Sequence, residues 1–283
     1  MHNSKSLYCD FVNRITIAES DDEIATIAYM VFEEVFNLSK SEVLTQKEVD
    51  DPHTEVIENI ISRINQHEPI QYILGKAQFF GRTFAVAPAV LIPRPETEEL
   101  VLMVKQYVAK GTSQSVSILD VGTGSGCIAI TLALELKHAH VTAVDVSQAA
   151  LDVASLNARM LQASVDFIHQ DILACELTFR PDIMVSNPPY IPEKEKEQMP
   201  ANVKVFEPAS ALFVPDEDPL IFYKALASHA QQGMNNGSLL AVEVHESRAE
   251  EVKNLFTTRG FRNVAVIQDI FGKNRIVKGI VSS

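Results

Sequence analysis

The sequence predicts an α/β protein: a doubly wound, mostly parallel seven-stranded sheet, preceded by an all-α bundle and a β-hairpin linker. Three observations lead there. From about Ser115 onward, short β-prone runs alternate with longer amphipathic ones, the strand–helix–strand mark of a parallel sheet. Before Leu74 the apolar residues recur at helical spacing instead. Between Gly75 and Pro95 the period drops to two around a glycine-containing turn and then breaks into prolines. At 283 residues the chain buries a sizeable core and divides into a helical domain over 1–74, a hairpin and linker helix over 75–110, and a sheet domain over 111–283.

The helical reading runs from Leu7 to about Leu74. Ser20-Asp21-Asp22-Glu23 is a capping box, and Ile24, Ile27, Ala28, Val31, Val35 and Leu38 follow at helical spacing. Ser39-Lys40-Ser41-Glu42 repeats the box and starts a short second helix. Pro52 in a first turn opens another, with Val56, Ile57, Ile60, Ile61 and Ile64 on its inner face. No catalytic cluster stands here, and His53 and His67 read as solvated surface residues. Gln78 to Val86 reads as a hairpin, Ala87 to Pro95 as an extended linker. Arg94-Pro95-Glu96-Thr97-Glu98-Glu99 then starts a helix, proline early and acids at the positive dipole end.

In the sheet domain, strands are expected near Ser117–Val121, Val141–Asp145, Val165–His169, Asp182–Ser186, Ser238–Val244, Val264–Gln268 and Arg275–Val281. Helices are expected over about Cys127–Leu136, Ser147–Leu161, Leu220–Gly233 and Glu246–Arg259. Pro192–Pro219, charged and carrying several prolines, reads as a long surface loop beside the site. There is no internal repeat.

Composition narrows the function classes. The chain is 46% hydrophobic and 22% charged, ordinary for a soluble globular protein. No run approaches the ~20 apolar residues that span a bilayer, and no signal-type segment follows Lys5, so a cytoplasmic protein is expected; a monomer is the default expectation, with no residue pattern behind it. Cys9, Cys127 and Cys175 form no Cys-x-x-Cys pair, and His138, His140, His169, His229 and His245 show no ligand spacing, so no metal site is expected. A net charge of −13 disfavours naked nucleic acid as a partner and favours a basic protein.

Asp120-Val121-Gly122-Thr123-Gly124-Ser125-Gly126 closes the first strand and opens the first helix, where glycines let the backbone turn and approach a ligand. A dinucleotide fingerprint wants its third glycine at position 127, which is Cys, so a ligand without a pyrophosphate suits the loop better. Asp145 ends the second strand about 20 residues later, where an acid accepts hydrogen bonds from both ribose hydroxyls. Asp171 and Ile172 follow the third strand, at the height of an adenine. Together these residues describe a nucleoside pocket at the carboxyl ends of parallel strands. Asp171 alone also reads as a simple turn residue, and Cys127 as a packing residue.

The fourth strand stops at Asn187-Pro188-Pro189-Tyr190. Each proline lacks an N–H, fixes its own φ and pushes its predecessor out of the helical region. The chain therefore leaves the strand in a stiff extended turn that holds the Asn187 amide and the Pro188 carbonyl beside a flat ring. That is a grip for a planar NH2 group: two acceptors bind both N–H groups while the ring stacks on the plane.

These features resemble class I methyltransferases of Rossmann-like fold that use S-adenosylmethionine and methylate a planar nitrogen. More narrowly, the chain is similar to the release factor glutamine methyltransferase family, PrmC or HemK. Pro69-Ile70-Gln71-Tyr72-Ile73-Leu74-Gly75, Val90-Leu91-Ile92-Pro93-Arg94-Pro95-Glu96-Thr97-Glu98 and Phe206-Glu207-Pro208-Ala209-Ser210-Ala211-Leu212-Phe213 carry the narrower resemblance. It implies methyl transfer to the glutamine amide nitrogen in the Gly-Gly-Gln motif of peptide chain release factors. By motif, Gly122, Thr123, Gly124, Ser125, Gly126, Asp145, Asp171 and Ile172 hold S-adenosylmethionine. Asn187 touches cofactor and substrate, and Pro188, Pro189 and Tyr190 touch substrate. The helical domain is expected to dock the release factor. One departure is Glu243-Val244-His245, where the family has acid-x-Gly. Asn-Pro-Pro-Tyr alone also suits an adenine N6-methyltransferase acting on RNA or DNA, because a flipped adenine offers the same NH2. The acidic charge and the absence of a Lys/Arg cluster favour the protein substrate.

Overall fold

The apolar periodicities close into three cores, one within the helical region and one on each face of the large sheet. They are seen in a computed structural model that describes residues 2–50, 52–111, 115–175 and 180–282. Two units emerge: Met1–Gly75 with Pro200–Phe206, and Lys76–Met199 with Glu207–Ser283.

In the first unit, β1 (His2–Asn3) leads into α1 (Ser4–Asn13), whose first N–H groups, those of Lys5 and Ser6, are capped by the Asn3 side chain. Both predicted capping boxes form, Ser20 with Glu23 on α2 (Asp21–Phe36) and Ser39 with Glu42 on α3 (Lys40–Leu44). β2 (Glu48–Val49) pairs antiparallel with β1, a pair too short to leave a period in the sequence. α4 (Thr54–Asn65) begins after a left-handed His53, so Pro52 precedes the helix and is not in its first turn. Val56 lies about a quarter-turn off the Ile57–Ile60–Ile61–Ile64 stripe and is 48% exposed, so it belongs to the solvent side and not to the inner face. α5 (Ile70–Leu74) ends at Gly75.

The second unit opens with a hairpin, β3 (Lys76–Phe79) and β4 (Arg82–Ala85), turning through Phe80-Gly81. The expected helix at Arg94 starts as a single 3₁₀ turn over Pro95–Thr97 and continues as α6 (Glu98–Ala109). Then follow β5 (Val116–Val121), α7 (Cys127–Glu135), β6 (Ala139–Asp145), α8 (Gln148–Leu161), β7 (Asp166–His169) and β8 (Ile183–Ser186). The stretch expected to be a loop over 192–219 is instead built of short pieces. β9 (Ile191–Pro192) is followed by a 3₁₀ turn over Glu193–Gln198, α9 (Ala201–Phe206, which belongs to the first unit), α10 (Ala209–Leu212) and β10 (Phe213–Val214). Pro192, Pro200 and Pro208 each stand just before one of these turns or helices, where a fixed φ and a missing N–H cost nothing. The prolines punctuate structure here and do not prevent it. α11 (Ile221–Gly233), β11 (Leu239–Glu243), α12 (Ala249–Thr258), β12 (Arg262–Gln268) and β13 (Asn274–Ile280) complete the chain.

The large sheet has the order β12-β13-β11-β8-β5-β6-β7, parallel except for β13, which runs antiparallel to both its neighbours. Strand order reverses between β5 and β8, the position where open α/β sheets bind ligands. Among the described residues no helix is long and apolar enough to cross a membrane.

Candidate active site

At the carboxyl edge of the sheet, Val121 of β5 stands in register with Val144 of β6 and Ser186 of β8. The residues that follow these strands therefore meet at one height. They enclose a cavity of about 380 Å³, within the ~300–1,000 Å³ typical of small-molecule sites. Gly122, Thr123, Gly124, Ser125, Asp145, Asp171, Ile172, Asn187, Pro188 and Pro189 all line it. Gly126 and Tyr190 do not.

One wall is the loop after β5. Gly124, at φ 55°, donates its N–H to Asp145 Oδ2 at 2.9 Å, and Ser147 N–H binds Asp145 Oδ1 at 2.9 Å. The carboxylate is thus fixed at the end of β6 by two backbone donors. The Thr123 hydroxyl donates to the fully buried Asp120 at 2.7 Å, yet burial still pushes that carboxyl up to about 7. Gly126 is one layer behind. A Cβ there would stand 2.7 Å from Ile130 Cδ1 and 3.1 Å from Ala154 Cβ, so its missing side chain lets α7 close on α8. Cys127 is buried, and burial pushes its thiol up to about 12, which makes it a packing residue. Asp171 accepts the Leu173 N–H at 2.8 Å in a local turn, and the buried Ile172 presents an apolar surface.

The opposite wall is Asn187-Pro188-Pro189. Asn187 Nδ2 donates to Thr97 Oγ1 at 3.2 Å, and Thr97 Oγ1 donates to Glu243 Oε2 at 2.7 Å. Thr97 and Glu243 are both almost fully buried, at 2% exposure each. Burial pushes Glu243 up to about 7, against the pull of the Thr97 hydroxyl and the Arg275 guanidinium. Tyr190 is half-buried against the core that contains Met184 and Tyr223, with its ring centroid 6.0 Å from that of His245. Burial raises the Tyr190 phenol to about 12, so it stays neutral.

Several contributors escaped the sequence reading. Arg94 lines the cavity and donates to the buried Glu207 at 2.5 Å, while Ile92 N–H reaches the same carboxylate at 3.4 Å. The linker before α6 is thereby pinned over the site by a residue far along the chain. Asn157 of α8 ties β4 to the glycine loop, exchanging bonds with Ala85 and donating to Ser125 O at 2.9 Å. Arg94 and Thr97 stand in a segment that reads as a helix start and Glu207 in one marked by resemblance, neither of which points to a site role, and Asn157 carries no signal. His245 sits at φ −65°, a conformation open to any residue, and its Nδ1 accepts from Ser247 to cap the next turn. A glycine is therefore not required there by the backbone.

Residues 14–75 match the family model of the PrmC N-terminal domain, and residues 101–218 match that of the methyltransferase small domain. The chain is 47% identical over 223 residues to a release factor glutamine methyltransferase of Bacteroides thetaiotaomicron, covering 78% of this chain and 79% of that protein. It is 37% identical over 278 residues to the Flavobacterium psychrophilum protein of the same name, covering 97% and 98%. The chain belongs to the release factor glutamine methyltransferase family. Its sheet also resembles two more distant solved structures at the level of fold. One is a methyltransferase from Pyrococcus furiosus, 17% identical with a TM-score of 0.54, covering 80% of this chain and 100% of that one. The other is the Thermus thermophilus 16S rRNA N2 G1207 methyltransferase in complex with AdoMet and guanosine, 17% identical with a TM-score of 0.53, covering 73% and 50%. The Rossmann-like fold expected from the sequence, a mostly parallel sheet of seven strands, is the one observed.

Proposed function

We propose that the chain transfers a methyl group from S-adenosylmethionine to the side-chain amide nitrogen of the glutamine in the Gly-Gly-Gln motif of peptide chain release factors. The observation that carries this reading is the shared cavity: Asn187, Pro188 and Pro189 face the same space as the glycine loop and Asp145.

The residues present fit the cofactor. A carboxylate has about four acceptor sites; two of those on Asp145 hold backbone N–H groups, and the others suit vicinal ribose hydroxyls. Ile172 offers an apolar face for a purine. When bound, S-adenosylmethionine supplies an electrophilic methyl group. The chain's task is then the amide. Its nitrogen lone pair is delocalised into the carbonyl, so it must be held in one orientation. Asn187 Oδ1 and the Pro188 carbonyl accept its two N–H groups, and both bonds strengthen as the nitrogen becomes positive. Tyr190 packs against the core behind the cavity and does not line it, so the stacking role expected of its ring is not carried into this reading. No strong base is required before transfer, because the cationic product loses its proton readily.

The helical unit, which holds no catalytic cluster among its described residues, is assigned to docking the release factor. Hydrogen exchange of its helices should slow when the factor is added. The function itself is tested by incubating the protein with labelled cofactor, a purified release factor and RNA, then mapping the methyl group by mass spectrometry. It is expected on the glutamine of Gly-Gly-Gln. A methyl group on an RNA adenine would overturn the reading in favour of adenine N6-methylation.

A further inference from the structure

An asparagine amide has an acceptor end and a donor end of nearly equal shape. Asn187 can receive an N–H from a glutamine only with Oδ1 toward the cavity; rotated by half a turn, it would set its own NH2 against the substrate's. Something in the protein must break that symmetry.

We propose that Thr97 and Glu243 are positioning residues that hold Asn187 in its acceptor-forward orientation, an inference that rests on the function proposed above. The Thr97 hydroxyl has one proton, and it goes to Glu243 Oε2 at 2.7 Å. An ionised carboxylate can only accept, so that proton is claimed. Thr97 then has only lone pairs left for Asn187, which must offer its NH2, as it does at 3.2 Å. Oδ1 is left for the substrate. When Glu243 is protonated it can donate to Thr97 instead. The threonine proton is then released to Asn187 Oδ1, which draws Asn187 into the opposite orientation.

Glu243 therefore orients the site in its ionised form. The charged and titratable groups around it are Arg275 on β13, Arg94 and Glu96 before α6, Cys127 on α7, Tyr190 after β8 and Tyr223 on α11. The two arginines favour the carboxylate, and Glu96 and burial oppose it, leaving the group near 7. The acid limb of turnover should lie there: activity is full above it and falls as the pH drops through it.

The test compares Thr97→Val, Thr97→Ser and Glu243→Gln with the wild-type protein from about pH 6 to about pH 9, reading kcat and KM separately. Thr97→Val should lower kcat about tenfold or more, the scale of an orphaned buried polar group, with the cofactor KM nearly unchanged. Thr97→Ser keeps the hydroxyl and should remain within about threefold of wild type. Glu243→Gln should lose the acid limb. The Asn187 side-chain NH2 resonances, assigned by their loss in Asn187→Ala, should titrate near neutrality in the wild type and not in Glu243→Gln. Wild-type kcat in Thr97→Val, equal losses in Val and Ser, or an unchanged acid limb in Glu243→Gln would each overturn the proposal. Should the wild-type protein methylate no release factor, the functional reading fails, and the resonance titration still decides the relay.

Discussion

The two walls of the cavity are built by different means. On the cofactor side, Gly124 lies in the loop after β5, Asp145 ends the adjacent β6, and a backbone N–H joins them. On the amide side, Asn187 reaches Thr97 across 90 residues of sequence, and Thr97 reaches Glu243 across 146. The first wall is one motif with a neighbouring acid; the second is a meeting of three segments through side-chain protons. Backbone donors cannot be reversed by a rotamer, whereas a hydroxyl and an amide can. The amide wall is thus the more sensitive to single substitutions and to pH.

That contrast is broken most directly by Asn187→Ala. Turnover should fall ~10²-fold or more, the scale for a preorganised polar partner, while cofactor affinity stays within about tenfold. Single-turnover kinetics beside calorimetry separates the two, and near-normal turnover would remove Asn187 from the chemistry. Asp145→Ala should do the reverse. Two charge-assisted hydrogen bonds to the ligand are lost, about 3 kcal/mol together, so affinity should drop by about 100-fold or more. Unchanged affinity by calorimetry would contradict the ribose assignment.

The same contrast governs what could be read from the sequence. The seven strands were placed to within about two residues, because period and flanking glycines and prolines are local signals. The cavity wall after β5 was equally legible, since Gly122 to Ser125 and Asp145 obey a spacing that the parallel sheet imposes. The Asn187 turn was legible from its prolines. Thr97, Glu207 and Glu243 were not, because nothing local marks a buried threonine as the partner of a distant carboxylate. Pro52 and the 192–219 stretch misled for another reason. Proline announces a boundary of structure, and whether helix, turn or coil follows is decided by packing. Gly126 was read as part of the ligand cradle, yet the structure sets it against Ile130 and Ala154.

That last point sharpens the comparison within the cofactor wall itself. Gly126→Ala meets a left-handed φ of 81° and a contact of 2.7 Å, so it should cost about 2–4 kcal/mol in stability. At Gly124 nothing stands within 4 Å of an added Cβ, and only the φ of 55° opposes it. Gly124→Ala should therefore cost only about 1–2 kcal/mol. Denaturant unfolding of the two variants measures the difference, and equal losses would mean that helix packing is not what Gly126 serves.

The smallest expected effect concerns the buried acid on each wall, and its sign can be worked out. Asp120 and Glu243 are both raised by burial, from 3.8 and 4.5 to about 7. In the unfolded chain they ionise near their ordinary values; in the fold they keep their protons until about neutrality. Between those limits the native state binds more protons, so stability should decline as pH rises from about 4 to about 7 and then level off. Glu243→Gln removes the charge that burial penalises but leaves an amide to be satisfied, so the gain at pH 8 should be modest, about 1–2 kcal/mol. At pH 4.5 or below, where the native carboxyl is already neutral, the gain should vanish. Urea titrations of both proteins at the two pH values measure it. A gain independent of pH would mean that packing, and not the buried charge, sets the difference. A gain confined to high pH would mean that the amide wall keeps at neutral pH a carboxylate that the fold alone disfavours, as a group retained for orienting Asn187 should be.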